Sequence, residues 1–397
     1  MRFPASLCLF MLFLVQTYGQ SNSILNFIGN SKPEEVKHLS LSGKHLREIP
    51  ADIYLLNNLE ILSISDNDLT TLPQAITKIQ SLTFIDAERN LFRNFPKELF
   101  SLKGLKRLKL GSNYIEIIPE DIILMDSLKH LDIYRNKLTR LSGNIFRLKK
   151  LTDLIADENL ISEIYIPQNT TGSVTGLFVR KNLLDSIPSG IGNLKKMETL
   201  DLRENKIKNV SDRLYELAVL QDLMLEGNQI EYISPAIGQL SKLDYISLSR
   251  NRIKNLPDEF YDMTNLDFIH LHNNQIESLS PHIQNLRKLN YLSIANNKIT
   301  ELPNEFYNLP KLQFITIEGN SLSFDFLKLK NKEGFVSISL SEYQFEKKAI
   351  SLREFKSLAE ILIFIKNYEF GVGMIERFKP YFTDFQGNLL PRIERQE

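Results

Sequence analysis

An asparagine recurs every 23 residues along most of this chain, and this recurrence constrains the fold more than any other feature of the sequence. One period, residues 243–265, reads LDYISLSRNRIKNLPDEFYDMTN, and its apolar positions follow the pattern LxxLxLxxNxLxxLPxxIxxLxx. Self-similarity at a fixed period is the signature of a repeat architecture. The register holds without insertion or deletion at Asn67, Asn90, Asn113, Asn136, Asn159, Asn182, Asn205, Asn228, Asn251, Asn274, Asn297 and Asn320.

The first half of each unit predicts a strand. Ile246 and Leu248 alternate with polar or aromatic neighbours, which is the period of a half-buried strand. Strands that return every 23 residues in the same direction must pair in parallel, so the units predict one long parallel sheet. The asparagines then point inward. Because an unpaired buried amide costs roughly 1–3 kcal/mol, we expect each to bond backbone groups of its turn and of the next coil, as a structural ladder.

The second half of each unit, LPxxIxxL, spaces its apolar residues three apart, which favours short turns or 3₁₀ segments over full α-helix. Strands about 4.8 Å apart on one wall and bulkier turns on the other force the array to curve. The sequence therefore predicts an α/β solenoid of horseshoe shape. Its parallel β-sheet lines the concave face, and short 3₁₀ or turn segments form the convex side.

Over roughly residues 36–345 the motif resembles the leucine-rich repeat superfamily. The 23-residue LPxxI variant is similar to plant intracellular Ras-group proteins, scribble-type scaffolds and bacterial leucine-rich repeat proteins. The resemblance implies a horseshoe that binds other proteins through its concave face. One departure is that secreted animal members usually carry cysteine-rich caps, which are missing from this sequence.

The N-terminus predicts a cleaved signal peptide. Arg2 precedes an apolar run from residue 7 to 15, and small residues then lead to a cleavage site near Gly19-Gln20. We therefore expect a secreted, periplasmic or cell-surface protein. The predicted organisation is a signal peptide at 1–19, an N-terminal cap at 20–35, a solenoid of about fourteen units at 36–350, and a C-terminal helical cap and tail at 351–397.

Composition limits the chemistry that the chain can perform. Lys plus Arg and Asp plus Glu both total 48, so no net field attracts nucleic acid. The single cysteine, Cys8, lies in the predicted signal segment, and no later apolar run is long enough for a membrane span. The sequence contains neither a phosphate-binding loop nor a recognisable catalytic triad. We predict no catalytic residue, no metal and no cofactor.

The residues that determine ligand binding must lie at the outward positions of the strands, because leucines fill the inward positions between these outward ones. Six positions before the asparagine, the last four units carry consecutive aromatic residues: Tyr245, Phe268, Tyr291 and Phe314. At strand spacing they form a ribbon roughly 15 Å long. Exposed aromatic residues in a row are often interface hot spots. The alternative is that the rings pack on one another and on a terminal segment.

Beside this row runs a small, polar column that includes Ser247 and His270. Because His270 and His272 are two residues apart on one strand face, we expect both in the ligand-binding surface. Two imidazoles alone are a weak metal signal. In the middle units, Arg180 and Arg203 lie among carboxylates on the concave face. This mixed field is either a solvated wall or a second patch for a charged protein.

The unit that follows Asn159 keeps the 23-residue period but departs from the apolar pattern of the other units. After Asn159, polar residues Gln168 and Thr171 occupy two apolar slots, which predicts a looser convex side that acts as a flexible joint or a docking spot. The sequence also contains two glycosylation sequons, at Asn169 and Asn209, which are acceptors only in a eukaryotic secretory pathway.

The prediction is therefore an exported, non-enzymatic leucine-rich repeat protein that binds a protein ligand on its concave face. The alternative is a structural or adhesive cell-surface protein that binds glycan, matrix or itself. The oligomeric state stays open at this point.

Overall fold

The structure, a computed structural model, describes residues 23–170 and 172–322 and the backbone of residues 337–339. The predicted signal peptide at 1–19 and the predicted helical cap and tail at 351–397 lie outside the described residues.

Sixteen strands occur in the described part of the chain, and fourteen of them form one sheet. Two very short strands, β6 and β8, pair separately. The strands are β1 His38–Ser40, β2 Ile61–Ser63, β3 Phe84–Asp86, β4 Arg107–Lys109, β5 His130–Asp132, β6 Arg140–Leu141, β7 Asp153–Ile155, β8 Glu163–Ile164, β9 Gly176–Phe178, β10 Thr199–Asp201, β11 Asp222–Met224, β12 Tyr245–Ser247, β13 Phe268–His270, β14 Tyr291–Ser293, β15 Phe314–Thr316 and β16 Ser337–Ser339.

The register of the large sheet follows the sequence period. Tyr245 pairs with Phe268 and Phe268 with Tyr291, each step being 23 residues, and all neighbouring strands run parallel. Strands of successive units are therefore neighbours in the large sheet. This confirms the predicted parallel-sheet solenoid, in which equivalent positions of successive units lie side by side in columns.

All helical segments among the described residues are 3₁₀, as the three-residue apolar spacing predicts. All of them except Pro33–Glu35 and Ile191–Asn193 begin after a proline or a serine. Ser234 caps its segment by accepting a hydrogen bond from Ala236 N at 3.3 Å. The segments are Ile24–Phe27, Pro33–Glu35, Ala51–Leu55, Gln74–Lys78, Lys97–Ser101, Glu120–Leu124, Gly143–Arg147, Ile191–Asn193, Asp212–Glu216, Pro235–Gln239, Asp258–Asp262, Pro281–Asn285 and Asn304–Asn308.

The core lies between the sheet and the 3₁₀ segments and continues from unit to unit. In the unit of Asn251, Leu243, Ile246, Leu248 and Ile253 are all fully buried. Burying each such side chain contributes roughly 1.5–3 kcal/mol relative to exposure. At the N-terminal end Ile24 joins this core, and Asp52 accepts hydrogen bonds from Ser23 Oγ at 2.6 Å and from Ile24 N at 2.8 Å.

The irregular unit after Asn159 has no 3₁₀ segment among its described residues, and it has a short strand before a turn at 168–169. Strand β8 pairs with β6 of the preceding unit, again 23 residues apart. Ile164, Ile166 and Val174 are buried and supply the apolar side chains that Gln168 does not. The convex wall therefore changes its secondary structure here without interrupting the core.

Candidate ligand-binding face of the sheet

Each strand of the large sheet presents its middle residue to the core and its two flanking residues to the concave side. In β13, Ile269 is 1% exposed, whereas Phe268 before it reaches solvent. This alternation follows from the two-residue period of a strand. It places the predicted ligand-contacting residues on the concave side of the sheet.

The twelve buried asparagines form hydrogen bonds with backbone groups of their own turn and of a neighbouring coil. In every unit Nδ2 donates to a carbonyl of the preceding coil at 2.8–3.1 Å. The Oδ1 atom accepts from a backbone N–H of that same coil; for Asn228 the donor is Ile207 N at 3.0 Å. The prediction that the partners lie in the next coil is wrong, because both partners of Asn228 lie in the preceding coil. The amides thus connect neighbouring coils, as expected for a structural ladder.

The aromatic residues Tyr245, Phe268, Tyr291 and Phe314, here called the aromatic strip, form a continuous row of rings across β12–β15. Successive ring centroids are 6.5, 6.4 and 6.5 Å apart, and adjacent ring planes are tilted by 37°, 31° and 34°. Phe314 is 40% exposed, and the other three rings are partly exposed. The rings therefore pack on one another and still reach the concave solvent.

The column beside the strip lies deeper than the sequence suggests. Ser247 and Ser293 are only 1% and 3% exposed, because the larger neighbouring rings cover them. His270 is 9% exposed, and its ring centroid lies 5.3 Å from that of Tyr245 and 4.8 Å from that of Tyr291. This histidine supports the strip from below, and little of it is left for direct contact with a ligand.

Burial keeps both histidines neutral near pH 7. It lowers the pKa of His270 to about 3, and His272 adds to the shift. Burial also lowers the pKa of His272, against the opposing charge of Glu226. The Nδ1 atom of His272 is held 2.8 Å from Ser249 Oγ and 3.2 Å from Ser293 Oγ. Within the described residues no group of three or more His, Cys, Asp or Glu is arranged to hold a metal ion.

The structure places Arg180 and Arg203 in ion pairs within the wall. Arg203 Nε lies 2.9 and 3.0 Å from the two carboxylate oxygens of Asp201, whose side chain is 1% exposed. Arg180 Nε donates to Glu204 Oε1 at 3.0 Å. The charge of Arg203 is close enough to Tyr245, the first ring of the strip, to oppose the rise in the pKa of that tyrosine, so the charged region borders the strip.

Two carboxylates in this middle region have ionisation properties that the sequence analysis missed. Burial raises the pKa of Asp132 to about 7, and the nearby charge of Glu88 adds to the shift. Burial and the neighbouring charge of Asp201 also raise the pKa of Asp157. The sequence does place carboxylates at outward positions of adjacent strands. It does not show how deeply these carboxylates are buried.

The remaining predicted features lie outside the concave face. Asn169 and Asn209 are both exposed, and Thr171 of the first sequon lies outside the described residues. Among the residues that the structure describes, no helix has the length and apolar character required to cross a membrane.

A solenoid of parallel strands, stitched by buried asparagines and carrying its variable side chains on one wall, defines a class of repeat proteins. Sequence profiles of that class match the chain over more than half of its length. The profile for a leucine-rich repeat region covers residues 227–328, and further leucine-rich repeat profiles cover 103–161, 173–230 and 58–79. The chain belongs to the leucine-rich repeat family.

Solved structures agree with this assignment. A leucine-rich repeat protein of Leptospira interrogans is 27% identical over 87% of this chain and 99% of its own, with a TM-score of 0.65. An internalin of Listeria monocytogenes is 20% identical over 76% of this chain and 87% of its own, with a TM-score of 0.62. Drosophila Toll, in complex with Spätzle, is 19% identical over 78% of this chain and 47% of its own, with a TM-score of 0.64. A comparison with curated proteins gives no match.

Proposed function

We propose that this chain is an exported, non-enzymatic recognition protein that binds a protein ligand on the concave face of its sheet. The aromatic strip is the centre of the binding surface, and the charged region around Arg180 and Arg203 is a second patch. The apolar run at residues 7–15 supports export.

The observation that carries this proposal is the aromatic strip itself. Four consecutive units place a ring at the same outward position, and the rings make a row with spacings of 6.4–6.5 Å. The core does not need them, because the inward positions of the same strands are already filled by Ile246, Ile269, Leu292 and Ile315. Covering partly exposed rings with a partner is energetically favourable, and aromatic residues dominate the energetics of protein interfaces.

The test is capture of a partner by the full chain from the native cell surface or medium. The double variant Phe268→Ala/Tyr291→Ala removes the centre of the strip. A matched control, Ile61→Ala/Phe84→Ala, truncates residues of the same column on β2 and β3. We expect the wild type and the control to retain one specific partner and the strip variant to lose it, with all three chains showing equal circular dichroism spectra.

Retention of the partner by the strip variant would refute the proposal. A wild-type chain that shows no specific protein partner, and instead self-associates or binds glycan arrays, would refute it in favour of an adhesive role.

A further inference from the structure

The aromatic strip lies in a markedly acidic surface on a chain with no net charge. In the five units from Asn228 to Asn320, the seven positions before each asparagine carry five carboxylates and one fixed cation, Arg250, which lies 3.8 Å from Glu226. Both histidines of this surface have lowered pKa values and add no positive charge near pH 7. The carboxylates are Asp222, Glu226, Asp244, Asp267 and Glu318.

These carboxylates lie on both sides of the rings. Asp244 and Asp267 immediately precede Tyr245 and Phe268 and form one margin of the strip. Glu226 and Glu318 lie across the strands on the other margin, beyond the column of His270. Glu318 Oε2 is buried without a hydrogen-bond partner among the described residues. Aromatic rings flanked by carboxylates attract a cation twice, through the ring quadrupole and through ion pairing.

The spacing of the rings fits an extended peptide that crosses the strands. Alternate residues of an extended chain point to the same side and are about 6.4–6.8 Å apart. The ring centroids are 6.4–6.5 Å apart, so side chains at positions i, i+2 and i+4 of such a segment meet successive rings.

We infer that the aromatic strip binds an extended protein segment with Arg or Lys at alternate positions, each cation lying against a ring and a marginal carboxylate. The inference rests on the proposed function and deepens it by naming the chemistry of the ligand. The acidic field steers such a segment to the face, and it repels nucleic acid and sulfated glycans.

The test uses three fluorescein-labelled peptides of equal length with the full chain. One alternates arginine and serine, one carries the same residues in two blocks, and one alternates citrulline and serine. We expect the alternating arginine peptide to bind at least about threefold more tightly than the block isomer, because an exposed cation–π contact changes affinity by roughly two- to fivefold. Citrulline keeps the shape and lacks the charge, so its peptide should bind at least about tenfold more weakly. Equal binding of the arginine and citrulline peptides would overturn the inference.

Charge variants locate the effect on the protein. Asp244→Asn/Asp267→Asn removes the carboxylates of one margin and leaves the rings in place, and it should weaken the alternating peptide by about tenfold. The control Asp121→Asn/Asp126→Asn makes the same change in net charge at exposed positions away from the concave face and should have no effect. Equal weakening by both pairs would mean non-specific attraction and would overturn the inference.

The captured partner separates this inference from the proposed function. If Asp244→Asn/Asp267→Asn keeps the partner while Phe268→Ala/Tyr291→Ala loses it, the aromatic strip is the binding site and its ligand is not basic. If both variants keep the partner, the proposed function itself fails.

Discussion

At the scale of single residues, the ladder asparagine does the most for the fold. Its side chain satisfies a carbonyl and an N–H of the preceding coil in every unit, so each amide belongs to two coils at once. The residue before it adopts a left-handed conformation, with φ of 53° at Arg250 and 55° at Asn273. This left-handed conformation points the asparagine side chain inward. Its energetic cost is offset by the hydrogen bonds that the asparagine makes.

Replacing a ladder asparagine should therefore destabilise the array. Asn228→Ala leaves Ile207 N without its acceptor, and a buried, unsatisfied N–H costs roughly 1–3 kcal/mol. It also removes one of two amide donors from Leu202 O, which keeps the hydrogen bond from Asn205 Nδ2 at 3.0 Å. Asn255→Ala removes the same amide from an exposed position and should change the free energy of unfolding by less than about 0.5 kcal/mol. Urea unfolding of the two variants and the wild type measures the difference. Equal stability of the two variants would show that the ladder bonds contribute nothing net.

The raised pKa of Asp132 predicts a dependence of stability on pH. A carboxyl whose pKa is about 7 in the folded chain and about 4 when unfolded stabilises the fold fully below pH 4. That contribution is lost as the pH rises through 7. His270 acts in the opposite direction, because its lowered pKa favours the folded state above about pH 6.5.

Because Asp132 and His270 affect stability over overlapping pH ranges, a variant is needed to isolate the effect of Asp132. Asp132→Asn keeps the acceptor for Tyr134 N and cannot ionise. Relative to the wild type, its free energy of unfolding should rise by roughly 2–3 kcal/mol between pH 5 and pH 8. Asp121→Asn, at an exposed site, should show no such change. A difference between Asp132→Asn and the wild type that does not vary with pH would contradict the raised pKa.

At the scale of elements, the 23-residue period predicted the strands, their direction and their register, because periodicity and parallel pairing leave one solution. It also predicted the 3₁₀ character of the convex side. The depth of the outward columns was not predictable, since Ser247 and His270 are buried by rings from neighbouring strands. The left-handed position was not predictable either, because residues as different as Arg89, Ser112 and Glu158 occupy it.

The irregular unit should be the weakest element inside the array. Residues 166–170 have a turn at 168–169 and no helical segment where a regular unit has a hydrogen-bonded 3₁₀ segment, and the preceding Tyr165 is 64% exposed. Amide hydrogen exchange resolved by peptide should therefore be faster at residues 166–170 than at Pro235–Gln239, the equivalent segment of a regular unit. Equal protection of the two segments would contradict this prediction.

At the scale of the whole molecule, the solenoid separates stability from recognition. The core and the ladder repeat from unit to unit, whereas the concave columns vary, from mixed charge in the middle to aromatic and acidic at β11–β15. The repeat alone indicates a binding wall. Only the geometry of the rings indicates which part of that wall a ligand contacts and the shape of segment that fits it.

Hydroxyl-radical footprinting of the full chain, with and without its captured partner, measures which face the partner covers. We expect the partner to lower oxidation of Phe268, Tyr291 and Phe314. Tyr232 and Tyr165, which are 67% and 64% exposed away from the strip, should be oxidised equally in both samples. Protection of Tyr232 or Tyr165 with unchanged oxidation of the strip would place the ligand on another surface and contradict the account.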